Sequence, residues 1–179
     1  MKQVYAVKAA VIAALAMLVG CNTNPNPNET TPPSIVFNVK DANGHFVPAT
    51  SATVSGSGAS PLNLSCVATD QGGMSSLSLS FSNSVDGCVT PGGAVYTGGY
   101  PIAVPATQQQ TTTLNSQGQL PSELFFFATM QGPYTCHVPS PPAPPPGNGT
   151  PGGSGIVATC VAQNYSKKTA TATLPITLN

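Results

Sequence analysis

The chain has 179 residues, and only ten are charged: five Lys stand against three Asp and two Glu, with no Arg. Charged side chains are 6% of the composition, where about 25% is usual for a soluble domain. That excludes a nucleic-acid binder, which needs a basic stripe to displace counterions, and a long helical bundle, which needs Glu, Lys and Arg on its wet face. With 40% apolar residues at zero net charge, it also excludes a wholly disordered chain.

In chain order, Lys2 and Lys8 open a short positive region, and Ala9 to Val19 follow as an unbroken apolar run. The next charged residue is Glu29. The run is shorter than the roughly 18 residues needed to cross a bilayer as a helix, and its layout is that of an export signal. It ends in Leu18-Val19-Gly20-Cys21, which resembles the lipobox of bacterial lipoproteins. The resemblance implies that residues 1–20 are removed and that the Cys21 thiol carries a diacylglyceryl group, with Cys21 as the new N-terminus. A lipid bilayer is then the first partner, since two or more acyl chains give lasting attachment at about 0.8 kcal/mol per buried methylene. Asn22 follows Cys21. In the enterobacterial sorting pattern an Asp there favours inner-membrane retention, so the resemblance implies the outer membrane where the host has one.

Residues 22–33 read NTNPNPNETTPP, so that 21–33 form a lipidated cysteine and a Pro/Asn-rich tether. Repeated Asn-Pro steps favour an extended, polyproline-like spacer, which would hold a domain roughly 37 Å from the lipid at about 3.1 Å per residue.

The remainder, 34–179, suits one domain. Its apolar residues alternate with polar ones. Ser34 to Lys40 places Ile35, Phe37 and Val39 on one face, and Leu62 to Ala68 places Leu62, Leu64, Cys66 and Ala68 there. Ser76 to Ser82 does the same with Leu77, Leu79 and Phe81, and Thr169 to Leu178 with Ala170, Ala172, Leu174, Ile176 and Leu178. Period two, broken by clusters such as Asp70-Gln71-Gly72-Gly73, predicts antiparallel sheets with one wet face. Two stretches lack the pattern. Residues 86–113 are rich in Gly, Pro, Gln and Thr and look like an insertion; 139–155 (PSPPAPPPGNGTPGGSG) are expected to form a mobile surface loop. Between them, Phe125, Phe126 and Phe127 cannot all face one way on a strand, so either both faces are covered or rings reach the surface.

A weak internal repeat is visible. Cys66-Val67-Ala68-Thr69-Asp70 leads through a turn into SLSLSF, and Cys160-Val161-Ala162-Gln163-Asn164 leads through a turn into TATATL. Each unit resembles the paired strands of bacterial immunoglobulin-like β-sandwich domains, although no Trp follows the first cysteine. The expected fold class is therefore all-β, an immunoglobulin-like antiparallel sandwich with long irregular loop insertions. Assigning Cys21 to lipid leaves Cys66, Cys88, Cys136 and Cys160, an even number for an oxidising compartment, and these allow three connectivities. The immunoglobulin-like resemblance favours Cys66–Cys160 between the sheets, with Cys88–Cys136 tying the two irregular stretches. The sequential pairing, Cys66–Cys88 with Cys136–Cys160, is its rival.

Catalytic chemistry has little to work with. There are two histidines, His45 and His137, no Gly-x-Ser-x-Gly elbow, and only isolated carboxylates. His45 reads as a turn residue and His137 as a strand-edge residue. Asp70 and Asn164 would meet if their turns share one end of the sandwich, either as oxygen ligands or, as expected here, as turn caps. Lys167-Lys168 reads as a solvated hairpin tip. For recognition, Tyr96, Tyr100 and Tyr134 lie in or beside the irregular stretches, where aromatics on Gly/Ser/Thr-rich loops make adaptable contacts, and Phe125 and Phe127 offer an apolar patch. The expected function is that of a non-catalytic, membrane-anchored module of the cell envelope, with no cofactor, binding a protein or polysaccharide. An accessory subunit of an envelope secretion or pilus-type assembly is the alternative, and a hydrolytic enzyme the third.

Overall fold

The computed structural model describes residues 21–138 and 148–179. Leu18, Val19 and Gly20, with the rest of the signal segment, lie outside the described residues, as does the proline-rich half of the second irregular stretch, 139–147. Among the described residues every regular element is a strand. They are β1 (Asn22–Thr23), β2 (Ser34–Lys40), β3 (Phe46–Pro48), β4 (Ala52–Val54), β5 (Leu62–Thr69), β6 (Met74–Phe81), β7 (Ser84–Val89) and β8 (Val95–Pro101). There follow β9 (Gln108–Thr111), β10 (Leu120–Pro121), β11 (Glu123–Met130), β12 (Cys136–His137), β13 (Asn148–Gly152), β14 (Ser154–Asn164) and β15 (Thr169–Leu178).

Two sheets form the body, in the orders β11-β5-β2-β3 and β4-β15-β14-β6-β9. All their pairs are antiparallel except β4 with β15. The alternating residues do what their period requires: Leu62, Leu64, Cys66 and Ala68 of β5, Leu77 and Leu79 of β6, and Leu174, Ile176 and Leu178 of β15 are buried in one core with Phe37 of β2. Each fully buried Leu or Ile contributes on the order of 1.5–3 kcal/mol over leaving it in water. Ala170 and Ala172, nearer the start of β15, are only partly buried. The Cys66–Cys160 disulfide joins β5 to β14 across this core, with a Cα separation of 6.5 Å.

Residues 86–113 and the described part of the second stretch, 148–155, are more ordered than their composition suggests. Residues 86–113 hold most of β7 and all of β8 and β9, and the glycine half of 139–155 supplies β13 and the start of β14. A third sheet, in the order β12-β13-β7-β8, joins them, and the Cys88–Cys136 disulfide links β7 to β12 with a Cα separation of 6.0 Å. Both preferred pairings are therefore present. The physical reason for the glycines is close approach. A Cβ at Gly149 would fall 2.5 Å from Cys88 Sγ and 2.6 Å from the Val89 carbonyl oxygen, so only glycine lets β13 lie against the disulfide. Low side-chain content predicts a loop; here it is the condition for backbone pairing.

The expectation of a free tether is corrected as well. Asn22 and Thr23 pair with Pro121 and Leu120, the Asn26 N–H donates to the Gly72 carbonyl (3.1 Å), and Pro33 is buried. An extended polyproline-like backbone has no internal hydrogen bonds, so its polar groups stay free to bond another surface. Here the 70–73 turn and β10 supply that surface.

Candidate functional site

The first candidate region is the end of the sandwich where the chain at Cys21 meets the body. Cys21 is exposed, and among the described residues it is the one cysteine outside a disulfide. Its carbonyl oxygen accepts the Ser122 N–H (3.0 Å) and the Ser122 hydroxyl. Thr23 Oγ1 donates to the Gln71 carbonyl (2.6 Å). The turns that carry Asp70 and Asn164 do share one end: the Tyr165 N–H donates to the Gly73 carbonyl (2.8 Å).

Asp70 and Asn164 lock this end. Asn164 is wholly buried and Asp70 is 8% exposed. Asn164 Nδ2 donates to Asp70 Oδ2 and to the Thr31 carbonyl, both at 3.0 Å. Its Oδ1 accepts the Lys168 N–H and the Ser166 hydroxyl, both at 2.9 Å. Asp70 Oδ1 accepts the Gly72 N–H at 2.8 Å. Each side chain thus caps its own turn, as expected, and the pair also clamps the 22–33 segment to the β14–β15 hairpin. All four bonding positions of a buried amide are used, which makes such a network rigid and costly to break. Beside it lies a polar cleft of about 510 Å³ lined by residues that include Glu29, Asp70 and Glu123. Lys167 sits at the hairpin tip with φ 66°, and Lys167 and Lys168 are both exposed.

The second candidate region is the outer face of the β11-β5-β2-β3 sheet. Phe125, Val67 and Val36 form one cross-strand row there. Phe126 turns inward against the core, while Phe127 is 54% exposed. Phe46 of β3 and Phe127 of β11 stand on opposite margins of the sheet, yet their ring centroids are 5.4 Å apart; Phe125 and Phe127 are 5.1 Å apart. The rings close over β5 and β2, where Asn38 Nδ2 donates to Ser65 Oγ (3.3 Å) and Ser65 is buried although its row faces out. Phe46 and Val36 were missed in the sequence. The available signal was apolar side chains on the wet parity of their strands: Val36 in SIVFNVK and Val67 in LNLSCVA.

The tyrosine expectation is corrected in part. Tyr100 and Tyr134 are core residues at 8% and 5% exposure, and Tyr96 is partly buried against the core. Strand formation in the insertion places Tyr96 and Tyr100 on β8, where they meet the core, and Tyr134 is buried from the segment between β11 and β12. Tyr100 Oη donates to the Thr97 carbonyl at 3.0 Å, whereas Tyr134 Oη has no partner among the described residues. Burial pushes the Tyr134 phenol above its usual pKa. His45 ends a turn in which its own N–H donates to Asp41 Oδ1 (2.9 Å), and both His45 and His137 are exposed. Among the described residues no group of three or more His, Cys, Asp or Glu side chains is placed to hold a metal ion.

No protein-family model matches the chain, and no curated protein matches it.

Proposed function

We propose that the chain is a non-catalytic lipoprotein of the cell envelope, held to a membrane by acylated Cys21 and presenting an immunoglobulin-like sandwich as a binding or structural module. One observation carries this reading. The cysteine that closes the lipobox-like tetrapeptide stands exposed and unpaired, while the other four are joined in two disulfides. Disulfides belong to exported chains, and the odd cysteine then needs another fate. The membrane is the outer one where the host has two. No cofactor enters this reading, and catalysis has no part in it. The test is metabolic labelling with a clickable fatty acid in cells making the wild type or Cys21→Ala. Label on the wild type and none on the variant is expected; equal label on both would refute the anchor.

The Phe46, Phe125 and Phe127 cluster supports a second reading, an accessory subunit that docks on an envelope assembly through this face. The rings are tilted by 52° and 68° to one another rather than coplanar. Such an exposed apolar aromatic cluster is the kind of surface that protein interfaces bury. Phe127→Ser is expected to release any partner that co-purifies with the wild type after detergent extraction, with little change in thermal stability. Retention of the partner by the variant would remove this reading.

A further inference from the structure

Resting on the lipoprotein reading, we infer that the Cys21 end of the sandwich lies directly on the lipid headgroups, with no slack between anchor and domain, and that this end is a membrane-contacting surface. A spacer in extended form would put about 37 Å between lipid and domain and leave the domain free to turn. The structure removes that distance. Cys21 bonds Ser122 through its own carbonyl, the next two residues pair with β10, and Thr23, Asn26 and Thr31 are each bonded to the 70–73 turn or to Asn164. An acyl group on the Cys21 sulfur is therefore separated from the body by little more than one side chain.

The surface around that point has the composition of a membrane interface. Tyr165 is 36% exposed at the tip of the β14–β15 hairpin, beside Lys167 and Lys168. Leu114 is exposed just before the 115–119 turn that leads into β10. Aromatic rings and lysines with long apolar stems are the side chains that settle at the headgroup level. Glu29, Asp70 and Glu123 stand at the same end and line its cleft, so the two lysines give no net positive field. The surface is thus built for headgroup contact on neutral lipid rather than for attraction to anionic lipid.

The opposite end is well defined. The Gly56 N–H donates to the Asn179 carbonyl, and Ser57 beside it is exposed. β5 then runs eight residues from there to the Cys21 end, a length of about 26 Å at ~3.3 Å per residue. The chain contains no Trp, so single reporters are unambiguous. Full-length Tyr165→Trp, Gln117→Trp and Ser57→Trp would be purified in lipidated form and reconstituted in phosphatidylcholine vesicles with brominated acyl chains. Intact mass would be read on the same samples. The expected result is severalfold stronger quenching for the Tyr165 and Gln117 reporters than for the Ser57 reporter, unchanged by added salt. Acylated protein in which all three reporters are quenched alike, or none is, overturns the orientation while leaving the anchor intact. An unmodified mass at Cys21 overturns the anchor and the orientation together.

Discussion

At the scale of single residues, the Asp70–Asn164 pair and Tyr134 are opposite cases of a buried polar group. Asn164 uses every donor and acceptor it has, and in doing so joins three segments distant in sequence. Asn164→Ala would leave Asp70 Oδ2 and the Thr31 carbonyl without that donor. It is expected to lower stability by about 1–3 kcal/mol, read as a fall of several degrees in the unfolding midpoint. The same variant should also free the 22–33 segment, seen as faster amide exchange at Asn26. Tyr134 buries a hydroxyl with no partner, so Tyr134→Phe is expected to leave stability unchanged or raise it by up to about 1 kcal/mol. Because burial raises this phenol in the folded state, the unfolded chain loses the proton first, near pH 10. The folded state then holds more protons than the unfolded one, and stability falls as pH climbs above about 10. Denaturant midpoints from pH 8 to 11 should show this extra alkaline loss in the wild type and not in Tyr134→Phe.

At the scale of elements, the strands fall into two kinds. β2, β5, β6 and β15 alternate, and their faces were legible because one side of each meets a core and the other meets water. β7, β8 and β13 were not legible. Their glycines and prolines carry no period, and they are strands because neighbours pair with them and a disulfide holds them. Local composition encodes how a segment behaves alone, and pairing is a non-local event. β11 lies between these cases. Three consecutive phenylalanines disclose a strand whose two faces are both apolar, but which ring points out depends on register: Phe126 opposite Cys66, Phe127 opposite Ser65.

At the scale of the whole molecule, two crosslinks hold different sheets around one core. Cys66–Cys160 spans 94 residues and joins the main sheets; restricting the unfolded chain over that length is worth roughly 4–5 kcal/mol. Cys88–Cys136 spans 48 residues and closes the third sheet, for about 4 kcal/mol on the same basis. Similar energies should give different outcomes. Replacing Cys66 and Cys160 with Ala is expected to lower the global unfolding midpoint for every probe. The Cys88/Cys136 double Ala variant should lose amide protection in β7, β8 and β13 first while β5 and β14 stay protected. Hydrogen exchange on both variants tests this, and identical exchange patterns would show that the molecule opens as one unit.

The sequence by itself determined the all-β class, the signal-like start with its terminal cysteine, the wet and dry faces of the alternating strands, and an even set of cysteines beyond Cys21. Each of these follows from period, composition or count, which need no knowledge of what lies across the fold. Only the tertiary structure decided that Cys66 bonds Cys160, that Asn164 reaches Asp70 and Thr31, that Phe46 meets Phe127, and that the proline-rich leader lies along the body rather than away from it. Those outcomes depend on which distant segments come together. A backbone with free hydrogen-bonding groups will accept any partner that geometry brings within reach.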